Sequence, residues 1–326
     1  MAGPWDRGPR PPRGDAPAGG RPRREGGQRA RSADASPPAD GGRPPRRSTG
    51  ERAPWSRPAS GPEVPGGDAD AGAGAPPPVR PARREEVRLY GLNAVQAVFE
   101  RRPQAIRKLY LLQSRIHALK PLLAWCVQHR VGYRVVDEAD LERLAASSHH
   151  EGVVADVLRI EPLPLEAWLQ GLPAAAPALA IWLDGVGNPH NFGAILRSAA
   201  HFGAAVLLPS ASSLALSGAA ARVAEGGAEA VPLVRLPADA QAMVQLRGAG
   251  FGLAATVVRG GEDLFAAAMP ARLVYVMGAE GEGMDAGLAS ACDGQLSIPG
   301  TGAVESLNVA AATAVFLAHW AARRPL

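Results

Sequence analysis

Three glycine-rich stretches of the sequence carry the polar side chains best suited to chemistry. They are residues 183–197, 276–284 and 298–309. Each passes from a short apolar strand through a polar, glycine-rich loop into a helix. In an open α/β sheet, loops of this kind line up at the carboxyl ends of the strands, where ligands bind. We therefore expect the three loops to meet and to form one site.

The first loop offers an amide and a guanidinium. Asn191 can cap the helix that follows, and Pro189 stiffens the loop before it. Arg197 lies six residues further on, and its side chain could reach back across the helix N-terminus, which is a natural anion site. An arginine on a solvated helix face explains the same spacing, so the residues alone leave both interpretations open.

The second and third loops offer carboxylates, a hydroxyl and a further amide. The glycines around Glu280 and Glu282 follow the order G-x-x-G-x-G, which is neither the dinucleotide fingerprint nor a P-loop. A cationic or hydroxyl-bearing ligand therefore fits better than a triphosphate, although a solvated acidic turn has the same composition. Ser306 and Asn308 stand at a helix start. Ser306 lacks the G-x-S-x-G surroundings of a hydrolase nucleophile, so a helix cap is the simpler interpretation.

The elements around these loops alternate regularly over residues 178–326. Strands that alternate with helices predict a parallel sheet with helices on both faces. Small residues at 310–314 allow close approach to the last helix and suggest a packed or dimeric interface there. The predicted strands are 179–183, 205–208, 231–234, 251–257, 273–276 and 295–298, and the predicted helices are 192–202, 219–224, 238–248, 284–291 and 306–322.

Residues 86–160 predict a separate, smaller module with the order αβαβαβ. About 70 residues cannot hold a large site, so an accessory or binding domain is expected. Residues 161–177, rich in Pro, Ala and Leu, are predicted to be a linker. His149 and His150 precede the last strand of the small module. Adjacent histidines cannot share one face of a helix or strand, so a turn is favoured over a metal site and no metal ligands are predicted.

Residues 1–84 form a basic tail. They hold 16 arginines against 9 acidic residues, whereas the remaining residues hold 19 basic and 22 acidic side chains. The tail has almost no large aliphatic residues and cannot bury enough apolar surface to fold, so it is predicted to be disordered. Its arginines suit loose contacts with RNA phosphates, and a solvated linker is the alternative.

The remaining composition bears on location. Cys126 and Cys292 lie far apart and outside any metal-ligand spacing, which predicts two buried thiols in a reducing cytoplasm. The sequence has no run of 18 apolar residues, so no membrane span is predicted. It also has no apolar segment near the N-terminus that would indicate a secretory signal. We therefore expect a cytoplasmic protein without a membrane partner.

Together the three loops resemble the signature motifs of the SpoU/TrmH branch of the SPOUT methyltransferases. The N-x-G-x-x-x-R motif runs from Asn191 to Arg197, the second motif occupies 277–284, and the third comprises Ile298-Pro299 with residues 306–309. Residues 88–158 also resemble the L30e-like substrate-binding domain that often precedes this domain. The arginine-rich tail and residues 224–229 (Ala-Glu-Gly-Gly-Ala-Glu) look like a bacterial subgroup of the same family.

The resemblance implies a fold, a cofactor and a set of site residues. It implies a parallel-sheet α/β SPOUT domain with a trefoil knot, an obligate homodimer, and S-adenosyl-L-methionine bound in the knot. Matched by position, the catalytic set is Arg197, Asn191, Glu280, Ser306 and Asn308, and the cofactor-binding set is Thr256, Gly278, Ile298 and Leu307.

The implied reaction is methyl transfer to a ribose 2′-oxygen of RNA. Descriptions of the family cast the motif-one arginine as the base, but a guanidinium stays protonated in proteins. Arg197 is therefore interpreted first as a clamp on the adjacent phosphate. Ribosomal RNA is favoured over transfer RNA because the small module resembles that of ribosomal RNA enzymes.

Two other functions remain open at this point. A protein that binds RNA or assists ribosome assembly could keep the fold without the chemistry, although intact Arg197, Ser306 and Asn308 count against it. An unrelated nucleotide-binding α/β enzyme is the second, but it would be expected to carry a phosphate or dinucleotide fingerprint.

Overall fold

The computed structural model describes residues 85–174, 176–281 and 283–323. The predictions made for the 1–84 tail and for Glu282 lie outside the described residues. Within the described part, the strands form a four-stranded sheet followed along the chain by an eight-stranded sheet.

The smaller sheet has the strand order β1-β4-β2-β3. Strands β2 and β3 are parallel, and the other two pairs are antiparallel. Its elements in chain order are β1 (Glu86–Tyr90), α1 (Leu92–Arg101), β2 (Ile106–Leu111), α2 (Lys120–Gln128), β3 (Gly132–Val135), α3 (Glu138–Ala145) and β4 (Val153–Leu158).

The predicted αβαβαβ order omits β1, and this is a correction. Val87 and Leu89 pack in one buried cluster and Tyr90 packs in another, and five residues give too short an alternation to read from sequence. The strand forms because it pairs with β4, with Arg88 opposite Asp156 and an ion pair of 2.7 Å between their side chains. In the same module, Asp137 caps α3 by accepting from the Asp140 N–H at 2.8 Å.

The larger sheet is parallel in every pair and has the order β10-β12-β9-β11-β6-β7-β8-β5. The parallel sheet predicted from the alternation of strands and helices is therefore confirmed. Its strands are β5 (Leu163–Pro164), β6 (Ala178–Leu183), β7 (Ala204–Leu208), β8 (Leu233–Arg235), β9 (Gly252–Thr256), β10 (Glu262–Asp263), β11 (Arg272–Met277) and β12 (Gly294–Ser297), and its helices are α4 (Leu165–Gln170), α5 (Pro189–Phe202), α6 (Gly218–Ala224), α7 (Asp239–Gly248), α8 (Ala286–Ala291) and α9 (Val309–Ala322).

Helices cover both faces of this sheet, as predicted. Alternate residues of a strand point to opposite faces. Ile181 of β6 packs in one buried cluster with Phe192 of α5 and Phe316 of α9. The next residue, Trp182, belongs to a second cluster that includes Met243 of α7. The apolar run of β6 is thus buried on both sides, as expected for a central parallel strand.

The stretch predicted as a linker differs from the structure. Within 161–177, β5 pairs with β8 and forms one edge of the larger sheet, with Leu163 opposite Val234. Leu165 and Trp168 of α4 are buried, and the Trp168 ring lies 5.6 Å from the Phe251 ring. Residues 163–170 therefore add to the core of the larger sheet, because their few apolar side chains fall on one helix face.

Charged pairs hold the small module against α6 and the turn that follows it. Arg102 donates to both carboxylate oxygens of Glu229, from Nε at 2.5 Å and from Nη2 at 2.8 Å. Arg222 forms an ion pair with Glu151 at 2.5 Å. Asn93 donates to Glu225 at 2.5 Å, and Glu225 also pairs with Arg222. These contacts join residues from the two sheets into one interface.

No helix in the described ranges is long and apolar enough to cross a membrane. Among the same residues, no cluster of three or more His, Cys, Asp or Glu could hold a metal ion. Cys126 is buried and Cys292 is half-buried, and burial raises the pKa of each thiol to about 11. The expectation of two buried thiols is therefore met fully at Cys126 and only partly at Cys292.

We predict that Arg102→Ala lowers the free energy of unfolding by about 3 kcal/mol, because it leaves a buried carboxylate unpaired. The Glu229 side chain is only 3% exposed, and that of Arg102 is 17% exposed. Arg143→Ala is the matched control. It breaks an exposed pair with Asp140, and we expect a loss below about 1 kcal/mol. Urea unfolding of both variants measures the difference, and equal losses would contradict the account of the interface.

Candidate active site

The three glycine-rich loops meet through the side chain of Asn308. Its Nδ2 donates to Asn191 Oδ1 at 3.0 Å and to Glu280 Oε1 at 2.6 Å. Glu280 Oε1 also accepts from the Val309 N–H at 3.1 Å. One residue from each loop is thus joined in a hydrogen-bonded group, which we call the amide–carboxylate group. The expectation that the loops converge is met by these contacts.

Asn308 also begins the last helix. Its Oδ1 accepts from the N–H groups of Ala310 at 3.0 Å and Ala311 at 3.3 Å. Asn308 is therefore the N-cap of α9, and the predicted helix start at Ser306 was wrong. The Glu280 carboxylate lies at the same helix N-terminus, where the unpaired N–H groups and the helix dipole favour negative charge.

The cap of α5 also needs correction. Asn188, not Asn191, accepts from the first N–H groups of the helix, those of His190 at 2.8 Å and Asn191 at 3.3 Å. Pro189 occupies the first helical position, where its fixed φ is suitable and its missing N–H costs nothing. Asn191 is the third residue of the helix and does not cap it, so its side chain is available to Asn308.

Two glycines allow the loops to approach each other closely. A Cβ on Gly278 would lie 2.6 Å from the backbone carbon of Gly283 and 2.6 Å from the backbone nitrogen of Met284. A Cβ on Gly185 would lie 3.0 Å from the Cβ of Ala279, and Gly185 has a φ of +76°. Ala279 and Gly283 exchange backbone hydrogen bonds of 2.8 and 3.1 Å, which close the second loop into a tight turn.

The residues predicted to bind the cofactor lie around the ends of adjacent strands. Thr256 ends β9, Gly278 follows β11, and Ile298 follows β12, and these strands are neighbours in the order β12-β9-β11. The Thr256 hydroxyl donates to the Val276 carbonyl at 2.9 Å, which fixes its side chain across the strand pair. Leu307 precedes the cap of α9 and is 48% exposed, so an apolar side chain stands open at the site.

Arg197 and Ser306 do not join the amide–carboxylate group. Within the described ranges, neither side chain has a hydrogen bond or ion pair with Asn191, Glu280 or Asn308. Arg197 is exposed on α5, and its backbone packs closely on Gly227. A Cβ added at Gly227 would lie 3.1 Å from the Arg197 Cα. The hydrogen bond from Asn93 is the main cause that lowers the pKa of the nearby Glu225. Burial acts in the opposite direction, and the charges of Arg222 and Arg197 lower the pKa further.

Sequence reasoning missed one contact between the loops. Asp184, at the end of β6, accepts from the Asp285 N–H at 3.1 Å, and this joins the first loop to the start of α8. The pKa of Asp239 is raised, mainly by burial and further by the negative charges of Asp184 and Asp285. The one sequence signal for Asp184 was its position at the end of a strand, directly before Gly185.

A small cavity of about 200 Å³ lies beside the amide–carboxylate group. It is lined by residues 185–188 together with Asn191, Ala279, Glu280 and Val309. Helix N-termini, a carboxylate and open backbone meet there. Such a surface can hold a polar ligand through backbone groups and can orient a hydroxyl beside it.

Comparison with known proteins matches both halves of the described chain to families. Residues 178–318 match the SpoU rRNA methylase family, and residues 88–163 match the RNA 2′-O ribose methyltransferase substrate-binding family. The uncharacterised tRNA/rRNA methyltransferase YfiF of Escherichia coli is 36% identical over 93% of this chain and 88% of that protein. The 23S rRNA (guanosine-2′-O-)-methyltransferase RlmB of Vibrio vulnificus is 35% identical over 70% of this chain and 94% of that protein.

A solved structure shares the fold. The rRNA methyltransferase of Sinorhizobium meliloti, crystallised with S-adenosylmethionine, superposes with a TM-score of 0.60 and 23% identity. The match covers 72% of this chain and 86% of that one. The fold is thus that of a SPOUT methyltransferase. The chain belongs to the SpoU rRNA methylase family.

We predict that Asn308→Ala will weaken binding of S-adenosylmethionine about tenfold and will lower the free energy of unfolding by about 1–2 kcal/mol. The variant loses the cap of α9 and the contact between the second and third loops. Asp137→Ala is the control, because it removes the cap of α3 in the other sheet. Calorimetric titration with the cofactor separates the two effects: equal cofactor affinity in both variants would show that Asn308 only caps its helix.

Proposed function

We propose that this protein transfers a methyl group from S-adenosylmethionine to a ribose 2′-oxygen of ribosomal RNA. The observation that carries the proposal is the contact of Asn191, Glu280 and Asn308 at the loops that bear the family motifs. The family assignment supports the cofactor and the reaction. The relative named for 23S rRNA supports ribosomal RNA, and the relative named for both RNA types leaves transfer RNA as the alternative.

The cofactor site is assigned to Thr256, Gly278, Ile298 and Leu307. Gly278 fits this role because its bare backbone faces the second loop, and any side chain there would clash with residues 283–284. The open apolar surface of Leu307 suits the adenosyl part of the ligand. When bound there, S-adenosylmethionine supplies an electrophilic methyl group.

The chain's own task is to orient a weak nucleophile. A ribose hydroxyl is unreactive at neutral pH unless it is held in line and loses its proton during attack. The ribose is proposed to bind against the amide–carboxylate group, Asn191, Glu280 and Asn308. The hydrogen bonds from Asn308 to the other two side chains hold this group in place. Ser306 is exposed two residues before the cap, where its hydroxyl can reach a ribose oxygen.

Arg197 is proposed to clamp the phosphate next to the target ribose. Its guanidinium stays charged, so it stabilises negative charge that develops on the attacking oxygen. Its exposed place on α5, outside the amide–carboxylate group, supports contact with the substrate backbone over direct proton removal from the hydroxyl.

The architecture around the site is proposed on the same grounds. Residues 86–160 would bind the RNA substrate, as the matched substrate-binding family implies.

Small residues on α9, among them the exposed Ala311, support a homodimer. A trefoil knot is supported by residues 298–308, which run back from β12 to α9 against the second loop. A cytoplasmic location follows from the RNA substrate.

The test is methyl transfer from labelled S-adenosylmethionine to total RNA from a strain without the gene, with ribose-methylation mapping of the labelled RNA. We predict one labelled ribose, and a loss of about 10²–10³-fold in turnover for Arg197→Ala and Arg197→Lys, because one preorganised donor is removed or reshaped.

Arg247→Ala is the control for that assay. Arg247 lies in the last turn of α7 and pairs with Asp293 outside the three loops, so turnover should stay near wild type. Full activity of Arg197→Lys would contradict a specific guanidinium role. Cofactor binding without any methyl transfer to RNA would instead favour a protein that binds RNA without modifying it.

A further inference from the structure

The segment that follows α6 carries a motif that the proposed reaction does not use. Residues 225–229 have the sequence Glu-Gly-Gly-Ala-Glu. They lie between helix α1 of the small module and helix α5, which bears Arg197, and we call them the junction turn. Both carboxylates and both glycines of this turn make defined contacts, so the turn is more than a connection between α6 and β8.

The two glycines of the junction turn pack against different helices. Gly226 has a φ of +86°, and a Cβ added there would lie 3.1 Å from the Cβ of Ala97 on α1. Gly227 packs on α5 at Arg197, where an added Cβ would also lie 3.0 Å from the Leu196 carbonyl oxygen. Because neither glycine has a side chain, the backbone of the turn lies directly between α1 and the part of α5 that bears Arg197.

Glu225 begins the junction turn in a conformation that costs free energy. Its φ is +51°, in the left-handed region that residues other than glycine seldom adopt. Its carboxylate is bound at both oxygens: Oε2 accepts from Asn93 Nδ2 at 2.5 Å, and Oε1 accepts from Arg222 Nη1. An unfavourable backbone conformation that is retained together with a fully bound carboxylate suggests that the place of this charge has a function.

Arg197 lies close enough to Glu225 for their charges to interact. Within the described ranges the Arg197 guanidinium forms no hydrogen bond or ion pair, yet its charge, after the larger effect of Asn93, contributes to the lowered pKa of Glu225. Attraction between two charges is mutual, so the fixed carboxylate also acts on the guanidinium. A long, exposed side chain loses rotamer freedom when a substrate binds it, and a fixed charge beside it restricts that freedom beforehand.

We propose that Glu225 is a positioning residue for Arg197: its carboxylate, held by Asn93, orients the guanidinium toward the phosphate of the bound RNA. The junction turn also joins this orientation to the small module, because Asn93 belongs to α1 and Glu229 of the same turn pairs with Arg102. The inference rests on the proposed function for the role of Arg197 as a phosphate clamp. It adds the residue that holds the clamp in place.

Steady-state methyl transfer to total RNA from the strain without the gene gives the first test. Glu225→Gln keeps an acceptor oxygen for Asn93 and removes the charge. We expect kcat to fall about tenfold and the apparent KM for RNA to stay within about twofold, because a misplaced clamp affects the transition state more than ground-state binding. Glu225→Asp keeps the charge in a residue that tolerates the left-handed conformation, so it should retain at least about a third of the wild-type kcat.

Side-chain NMR of full-length protein with nitrogen-15-labelled arginine tests the positioning without any methyl transfer. The Arg197 Nε–H signal, assigned by its loss in Arg197→Lys, reports fast motion of the guanidinium through its order parameter. We expect this order parameter to fall in Glu225→Gln and to stay near wild type in Glu225→Asp. Asn93→Ala removes one of the two partners of the Glu225 carboxylate and should cause a smaller fall in the same direction.

Glu229→Gln is the matched control. It makes the same substitution in the same turn and weakens the other carboxylate contact with the small module, that with Arg102. Within the described ranges Glu229 has no hydrogen bond or ion pair with Arg197. This variant should therefore lose stability, whereas the Arg197 order parameter, and kcat at a temperature where the variant is folded, should stay near wild type.

The outcomes separate this proposal from the proposed function. Greater motion of Arg197 in Glu225→Gln, in a protein whose wild type methylates no RNA, would support the positioning and contradict the proposed reaction. An Arg197 order parameter that Glu225→Gln leaves unchanged, or that Glu229→Gln changes equally, would overturn the positioning even if RNA is methylated. A kcat of Glu225→Gln equal to or above that of wild type would also overturn it. If Glu225→Gln fails to fold, the Asn93→Ala variant, altered at an exposed residue, decides through the same signal.

Discussion

The Glu280 carboxylate at the start of α9 is the interaction on which the site depends. It accepts from both Asn308 Nδ2 and the Val309 N–H, so it binds the side chain and the backbone of the same helix start. This places the second loop across the third. Through Asn308 the first loop is added, and the three strand ends behind these loops then share one surface. A partly exposed pair of hydrogen bonds contributes only a few kcal/mol to stability. Its larger effect is to select a single arrangement of otherwise flexible glycine-rich loops.

Close backbone contact between α5 and α6 connects the site to the small module. A Cβ on Gly193 of α5 would lie 2.4 Å from the Ala220 carbonyl oxygen of α6, so only glycine lets these helices meet. Helix α6 in turn presents Arg222 to Glu151 of the small module, and the turn after it presents Glu229 to Arg102. The residues proposed to hold RNA and those proposed to modify it are therefore fixed relative to one another by packing that begins at one glycine.

The sequence predicted the parts of this account that depend on local pattern. Alternating strands and helices were enough to predict the parallel sheet, and loops at strand ends were enough to bring Asn191, Glu280 and Asn308 together. The helix caps were predicted less well, because Pro189 and the Asn308 side chain decide the true starts of α5 and α9. Strands β1, β5 and β10 were missed, since each is short and forms by pairing with a distant partner. The pairing of Arg102 with Glu229 joins residues 127 positions apart and has no local signature. The roles assigned to Arg197, Ser306 and the cofactor-binding residues stay predictions.

The crystal structure of the protein with S-adenosylhomocysteine tests the central claim most directly, because it locates the ligand relative to the loops. We predict that the ligand lies at the carboxyl ends of β9, β11 and β12, against the backbone of Gly278 and Ile298 and the side chain of Leu307, with the contact between Glu280 and Asn308 intact. A ligand bound elsewhere, or one that displaces Asn308 from Glu280, would contradict it.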